Sequence, residues 1–195
     1  MELIQERPDN KNIFYPPGGL MIWIIILLEL VTFGLGLIGF AYYGRMEPAL
    51  FHESRLQLNI GLGTVNTVVL LVSGYMMASA VGCYRGGGKK RAIHFLKWTL
   101  LGGGIFICIK SFEYYEKFTS SIDMEDNMFF TFYWLLTGFH LVHVLVGMVI
   151  LGWMLYKMRP VDTDISVDDL ESGAAFWHMC DLIWLLLFPT LYLIF

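Results

Sequence analysis

Apolar residues run through this chain in long blocks separated by short polar breaks. Five blocks, near 20–44, 58–84, 93–115, 128–156 and 173–195, stand out. Each is long enough to cross a bilayer core of roughly 30 Å, which takes about 20 apolar residues as a helix. Charges inside them are sparse. Residues 127–156 hold no Asp, Glu, Lys or Arg, residues 20–44 hold only Glu29, and residues 172–195 hold only Asp181. The pattern predicts an all-α integral membrane protein: a bundle of five transmembrane helices forming a single transmembrane helical domain over residues 1–195, with short loops and no linker.

Composition agrees with the pattern. The chain is 56% hydrophobic and 15% charged, with a mean hydropathy of +0.60, and a soluble domain of this size needs more charge to cover its surface. The polar first 19 residues lack the basic region and apolar core of a cleavable signal peptide, so insertion is expected to use the first span itself. Cys83, Cys108 and Cys180 form no C-x-x-C pair and read as small buried hydrophobes rather than a disulfide framework or a thiolate metal site. Glycines within the first three spans supply small positions where helices can pack closely, and Pro189 is expected to kink the last span.

Charge is distributed unevenly between the loops. "RGGGKKR" (85–91) carries four positive charges and no negative one, whereas "EYYEKFTSSIDMED" (113–126) carries five acids against one lysine. Basic loops stay on the cytoplasmic side. The expected topology therefore has the N-terminus and residues 85–91 in the cytoplasm, and residues 113–126 and the C-terminus external (periplasmic). A cysteine introduced at Ser121 should react with an impermeant label from outside, and one at Gly87 should not; the reverse pattern would overturn the orientation.

The chemically informative residues are the ionisable ones inside the spans, because such a group in hydrocarbon costs several kcal/mol unless it meets a partner or water. Glu29 lies near the middle of the first span. Lys110 and Glu113 lie one turn apart at the outer end of the third. His140 and His143 lie one turn apart in the fourth. On the fifth, Glu171, Ala174/Ala175, His178 and Asp181 follow three- and four-residue steps, which makes one stripe polar. Two readings fit. Glu29, His140, His143, His178 and Asp181 could form an iron or manganese site of mixed imidazole and carboxylate ligands. Alternatively they are a buried polar cluster that pins the helices together, with a proton- or lipid-related role left open. Buried polar groups in helix bundles usually pair with each other, and no span carries Glu-x-x-His, so the structural reading is preferred. No catalytic, cofactor-binding or metal-binding residue is therefore assigned.

Counting histidines also excludes a haem–copper catalytic core. Such a core needs two imidazoles for one haem and more for its second centre, yet only His140, His143 and His178 lie within spans, with His52 and His94 in loop or interface. The chain purified alone should show no Soret band and no reductase activity.

Five motifs in order carry a resemblance. These are "LLELVTFG" around Glu29, "TVNTVVLLVSG" (64–74), "FEYYEKFTSSID" (112–123), "TGFHLVHVLVG" (137–147) and "ESGAAFWHMCDLIWLLLF" (171–188), the last keeping an E-x6-H-x2-D spacing. They resemble subunit III of the haem–copper oxidase superfamily (cytochrome c oxidase subunit III-like), in a five-helix form lacking the two N-terminal helices of longer members. Glu29 looks like that family's carbodiimide-reactive carboxylate. The lysine in "IKSFEYYEKF", the W-H-M triplet and the F-P-x-L-Y-L ending resemble the NorE-type branch associated with bacterial nitric oxide reductase.

The resemblance implies a non-catalytic accessory subunit of a respiratory electron transport chain, here one supporting nitric oxide reductase in denitrification; the alternative is subunit III of an oxygen-reducing cytochrome c or quinol oxidase. It implies no cofactor bound by this chain, haem and metal in a partner catalytic subunit, structural phospholipid, membrane lipids as further partners, no nucleic acid, and a multi-pass location in a bacterial inner (plasma) membrane. A transporter is disfavoured because five spans cannot split into two equal inverted halves. A metal-dependent membrane enzyme would be revived by a stoichiometric transition metal on the purified chain.

Overall fold

The helices outlast the apolar blocks that predict them, because hydropathy marks the membrane-embedded part while capping side chains set the ends. The structure, a computed structural model, describes residues 19–119, 127–159 and 165–194. Five long apolar helices are present among them: α1 (Leu20–Met46), α3 (Ile60–Arg85), α4 (Lys89–Thr119), α5 (Met128–Met158) and α6 (Val167–Tyr192). Three of these begin at a side-chain cap. Asn59 Oδ1 accepts from Leu62 N at 3.1 Å, Asn127 Oδ1 from Phe130 N at 3.0 Å, and Ser166 Oγ from Asp169 N at 3.0 Å. Each cap satisfies one of the backbone donors that a helix start leaves unpaired. The fifth helix accordingly starts at Val167 rather than near 173, and the third extends over 89–119 rather than 93–115. At 1.5 Å per residue α4 is about 46 Å long, so its charged first turn stands outside a 30 Å core.

A sixth helix, α2 (Pro48–Leu56), follows α1 directly, where hydropathy gives no signal. Pro48 opens it, where a missing N–H is harmless. Only Phe51 and Ser54 are fully buried, with Leu50 partly so, which is too few to register as a periodic stripe. Phe51 locks the helix down by packing on Phe40 of α1 and Phe129 of α5, with ring centroids 5.1 and 5.5 Å apart.

Helix α6 sits among α1, α3 and α5, and α3 packs along α4 more extensively than any other pair. Two tryptophans of α6 fasten it to α3. The Trp184 indole donates to Thr67 Oγ1 at 2.9 Å, and the Trp177 indole to Ser73 Oγ at 3.2 Å, whose hydroxyl passes the bond on to Thr99 O of α4 at 3.0 Å. In hydrocarbon an indole N–H without an acceptor would be a standing cost, so these bonds fix the rotation of α6. Trp177 is fully buried against two helices that offer no side chain: a Cβ added at Gly103 would lie 2.6 Å from its ring, and one at Gly147 3.0 Å.

Helix α1 is peripheral. Its buried apolar residues Ile26, Phe33 and Phe40 recur every seven positions, a narrow seam, while Leu27, Leu28, Val31 and Leu35 are exposed. At one end of the bundle the Tyr84 hydroxyl donates to Ile165 O at 2.7 Å, and Arg85 pairs with Glu171 at 2.7 Å. At the other, Lys117 donates to Gln57 O, and Asn127 Nδ2 to Ser54 Oγ at 3.0 Å. Gly87, at φ 76°, turns the chain between α3 and α4 in the left-handed region that favours glycine. All three cysteines are free; Cys180 is buried, but Cys108 is exposed on α4 rather than buried as expected, the apolar block being unable to tell a lipid-facing side from a core-facing one. Ser121 falls outside the described residues.

Candidate functional site

The intramembrane polar residues resolve into four groups. In the first, the α1 seam carries Glu29 against α5, placing Glu29 Oε2 3.2 Å from His143 Nε2. The other ring nitrogen, His143 Nδ1, lies 2.8 Å from Phe139 O one turn back. A carbonyl can only accept, so Nδ1 carries a hydrogen, and a neutral ring then presents a lone pair at Nε2. Despite this approach, Glu29 Oε2 is buried without a hydrogen-bond partner. Phe33, Phe139 and Phe176 surround the imidazole, with centroids 5.6, 4.6 and 6.4 Å away. Glu29→Leu removes the carboxyl that meets His143 and leaves the imidazole Nε2 facing only apolar groups; unfolding in mixed SDS micelles should show a loss of about 1–3 kcal/mol, and no loss would mean the contact is idle.

His140, one turn before His143, does not join this pair. It is fully buried, neither ring nitrogen has a hydrogen-bond partner, and its ring stacks on Trp184 at 5.4 Å with Phe106 edge-on at 5.6 Å. The third group lies on α6 alone: His178 Nδ1 is 3.2 Å from Asp181 Oδ2. The Asp181 carboxylate rests on the bare backbone of Gly74 in α3, where a Cβ would collide with Oδ2. Hydrogen bonds do not join Glu29–His143 to His178–Asp181 among the described residues, and no group of three or more His, Cys, Asp or Glu side chains there could hold a metal ion.

The Lys110–Glu113 pair is the most elaborate feature, and it involves two residues the sequence did not single out. Both side chains are buried. Lys110 Nζ donates to Glu113 Oε2 at 3.1 Å, to the Tyr133 hydroxyl of α5 at 3.2 Å and to the Tyr192 hydroxyl of α6 at 2.8 Å. Both hydroxyls donate in turn to Glu113 Oε1, at 2.8 and 2.6 Å. An ammonium has three protons and each has an acceptor, so the ring is closed. The cation also lies 4.8 Å from the Tyr133 ring and 5.3 Å from that of Trp184. A closed ring has nothing left to offer a substrate; it ties α4, α5 and α6 together. Tyr133 and Tyr192 could have been suspected, since a phenol in an apolar span needs a partner when buried.

Most of the sequence matches a known family. The family model for cytochrome c oxidase subunit III covers residues 55–194. The chain belongs to the cytochrome c oxidase subunit III family. Cytochrome c oxidase subunit 3 of Coturnix japonica is 33% identical over 129 residues, 66% of this chain and 48% of the relative. That of Gallus gallus gives the same figures, 33% over 129 residues. The Danio rerio protein is 33% identical over 131 residues, again 66% of this chain and 48% of its own length. The chain thus spans about half the length of the curated relatives it matches. Within this subunit III-family chain the matched segment contains Lys110, Glu113, His140, His143, His178 and Asp181, while Glu29 precedes it. The Glu29–His143 contact therefore joins the matched bundle to α1, which lies before it.

Proposed function

We propose that this chain is a subunit III-type accessory subunit of a respiratory haem–copper complex, packing beside a haem-bearing catalytic subunit while binding neither haem nor metal itself. One observation carries the reading: the strongest intramembrane charge pair, Lys110–Glu113, has every donor spent on holding three helices together. A clamp of this kind suits a scaffold. The complex is proposed to be an oxygen-reducing oxidase, following the names of the relatives above. The nitric oxide reductase association is the second reading, favoured by Lys110 itself, the residue in "IKSFEYYEKF" that resembles the NorE-type branch. A bacterial plasma membrane belongs to the same proposal.

Structural phospholipid is also proposed. Between α3 and α4 lies an apolar groove of about 240 Å³, lined by Val68, Val72, Met76, Trp98, Leu101 and Ile105, which suits an acyl chain. The deciding experiment is purification in mild detergent through a tag on this chain. A Soret band in the eluate, with oxygen consumption, supports the oxidase; nitric oxide consumption alone would move the assignment to the reductase. Recovery of the folded chain with no haem protein would overturn the accessory role.

A further inference from the structure

The α3–α4 groove is apolar along its walls and strongly basic at one end. Trp98, Leu101, Gly102 and Ile105 line it from α4, and the same three- and four-residue steps carried back along that helix reach His94 and then Arg91. Arg91 stands about 10 Å along the axis from Trp98, and Lys90 and Lys97 flank this line within about a quarter turn. Lys90, Arg91, His94 and Lys97 are all exposed. The Trp98 indole donates to His94 Nε2 at 3.0 Å, so that nitrogen carries no hydrogen and the ring N–H is at Nδ1, where it has no acceptor among the described residues. The positive charge is not answered locally either. Among the described residues Lys90, Arg91 and Lys97 form no ion pair, and neither α3 nor the α4 segment 89–112 contains an Asp or Glu.

From this geometry we infer that the groove and its basic end form one site for a phospholipid with an anionic headgroup. An acyl chain lies between α3 and α4, and the phosphate is held by Arg91, Lys97 and His94 Nδ1–H. The inference rests on the structural phospholipid proposed above and adds the charge of its headgroup and the residues that select it. Charge complementarity fixes the occupant: a net-neutral headgroup would leave the cations unanswered, and the basic loop that orients the chain requires neither Lys97 nor a donor at His94. Within the groove the Ser73 hydroxyl is already bonded to Thr99 O, so the walls ask only for an apolar chain. A transmembrane helix fits poorly. The bare backbone of Gly102 is covered by Ser73, whose Cβ is 2.8 Å from where a Cβ would lie, and Val68, Val72, Leu101 and Ile105 hold another backbone away.

The test places the full chain in phosphatidylcholine nanodiscs with a trace of lipid carrying a diazirine on its acyl chain. That probe is supplied as phosphatidylglycerol or as phosphatidylcholine, and adducts are mapped by mass spectrometry. A cation beside an anionic headgroup is worth about a fivefold preference, so two or more should make phosphatidylglycerol label Val72, Met76 and Leu101 at least about tenfold more than phosphatidylcholine does. The exposed face of α1 at Leu27 and Leu28 should show no such ratio. Arg91→Gln combined with Lys97→Gln leaves Arg85, Lys89 and Lys90 in place; it should lower the groove ratio about tenfold, with phosphatidylcholine labelling and the SDS unfolding midpoint unchanged. Val72→Trp, which fills the groove, should remove labelling there by both lipids. Equal groove labelling by the two lipids would refute the anionic headgroup and spare the groove lipid, whereas no groove labelling by either would refute both. The same preference on α1 as in the groove would mean a general attraction to the chain and would overturn the site.

Discussion

Lys110→Met should cost this protein about 3–5 kcal/mol, one of the two largest losses expected from a single substitution here. The figure follows from what is left behind rather than from what is removed. Breaking a buried ion pair by deleting one partner leaves the other charge uncompensated in a low-dielectric interior, at about 3–5 kcal/mol. In this bundle the abandoned group is Glu113, still held by the Tyr133 and Tyr192 hydroxyls but with no cation. Glu113→Gln alone should also destabilise, because the ammonium of Lys110 then sits among neutral acceptors. The double substitution Lys110→Met with Glu113→Gln should recover most of the loss, since the amide oxygen can still accept from both hydroxyls and no charge remains. Because the pair is buried, the effects should hardly change between low and high salt. SDS unfolding of the four proteins closes the cycle. Additive losses would mean that the two residues act independently and that the closed ring is not a unit.

That ring also shows where sequence reading stops. Lys110 and Glu113 are one turn apart on one helix, so their pairing follows from helical geometry. Tyr133 and Tyr192 reach the same ammonium from positions 23 and 82 residues further along, and only the packing of α4, α5 and α6 brings them there. The spans were legible because each apolar block exceeds what a bilayer requires, whereas α2 was not, having only Phe51 and Ser54 fully buried. The sequence predicts one cluster of Glu29, His140, His143, His178 and Asp181, but across helices Glu29 reaches only His143, and the sequence could not say which imidazole of α5 it would meet. His140 and His143 are one turn apart and equally polar; the seam of Phe33 and Phe40 on α1 fixes the rotation that presents Glu29 to His143 and leaves His140 against Trp184 and Phe106.

The second large effect is expected at Trp177, and its physical origin differs. Trp177→Ala should destabilise by about 3 kcal/mol, the lower end of what the same change costs in water-soluble cores. The reduction has a reason: lipid is as apolar as the bundle interior, so removing the ring forfeits little transfer free energy. What remains is the void between Gly103 and Gly147, whose walls lose their contacts, together with the indole bond to Ser73. Gly103→Leu in the parent forces atoms into the space the ring occupies, since its Cβ alone would lie 2.6 Å from Trp177 and 3.1 Å from Met148 Sδ. Overpacking of that kind costs about 1–3 kcal/mol. In the Trp177→Ala background the same leucine enters a vacated space, so it should cost much less or even stabilise. The two substitutions are therefore expected to couple by at least 1 kcal/mol, within the range seen for residues that share a cavity. SDS unfolding of both single variants and the double variant measures that coupling. A double variant whose loss equals the sum of the singles would mean that Trp177 and Gly103 do not compete for one space, and that close helix approach at Gly103 has some other cause.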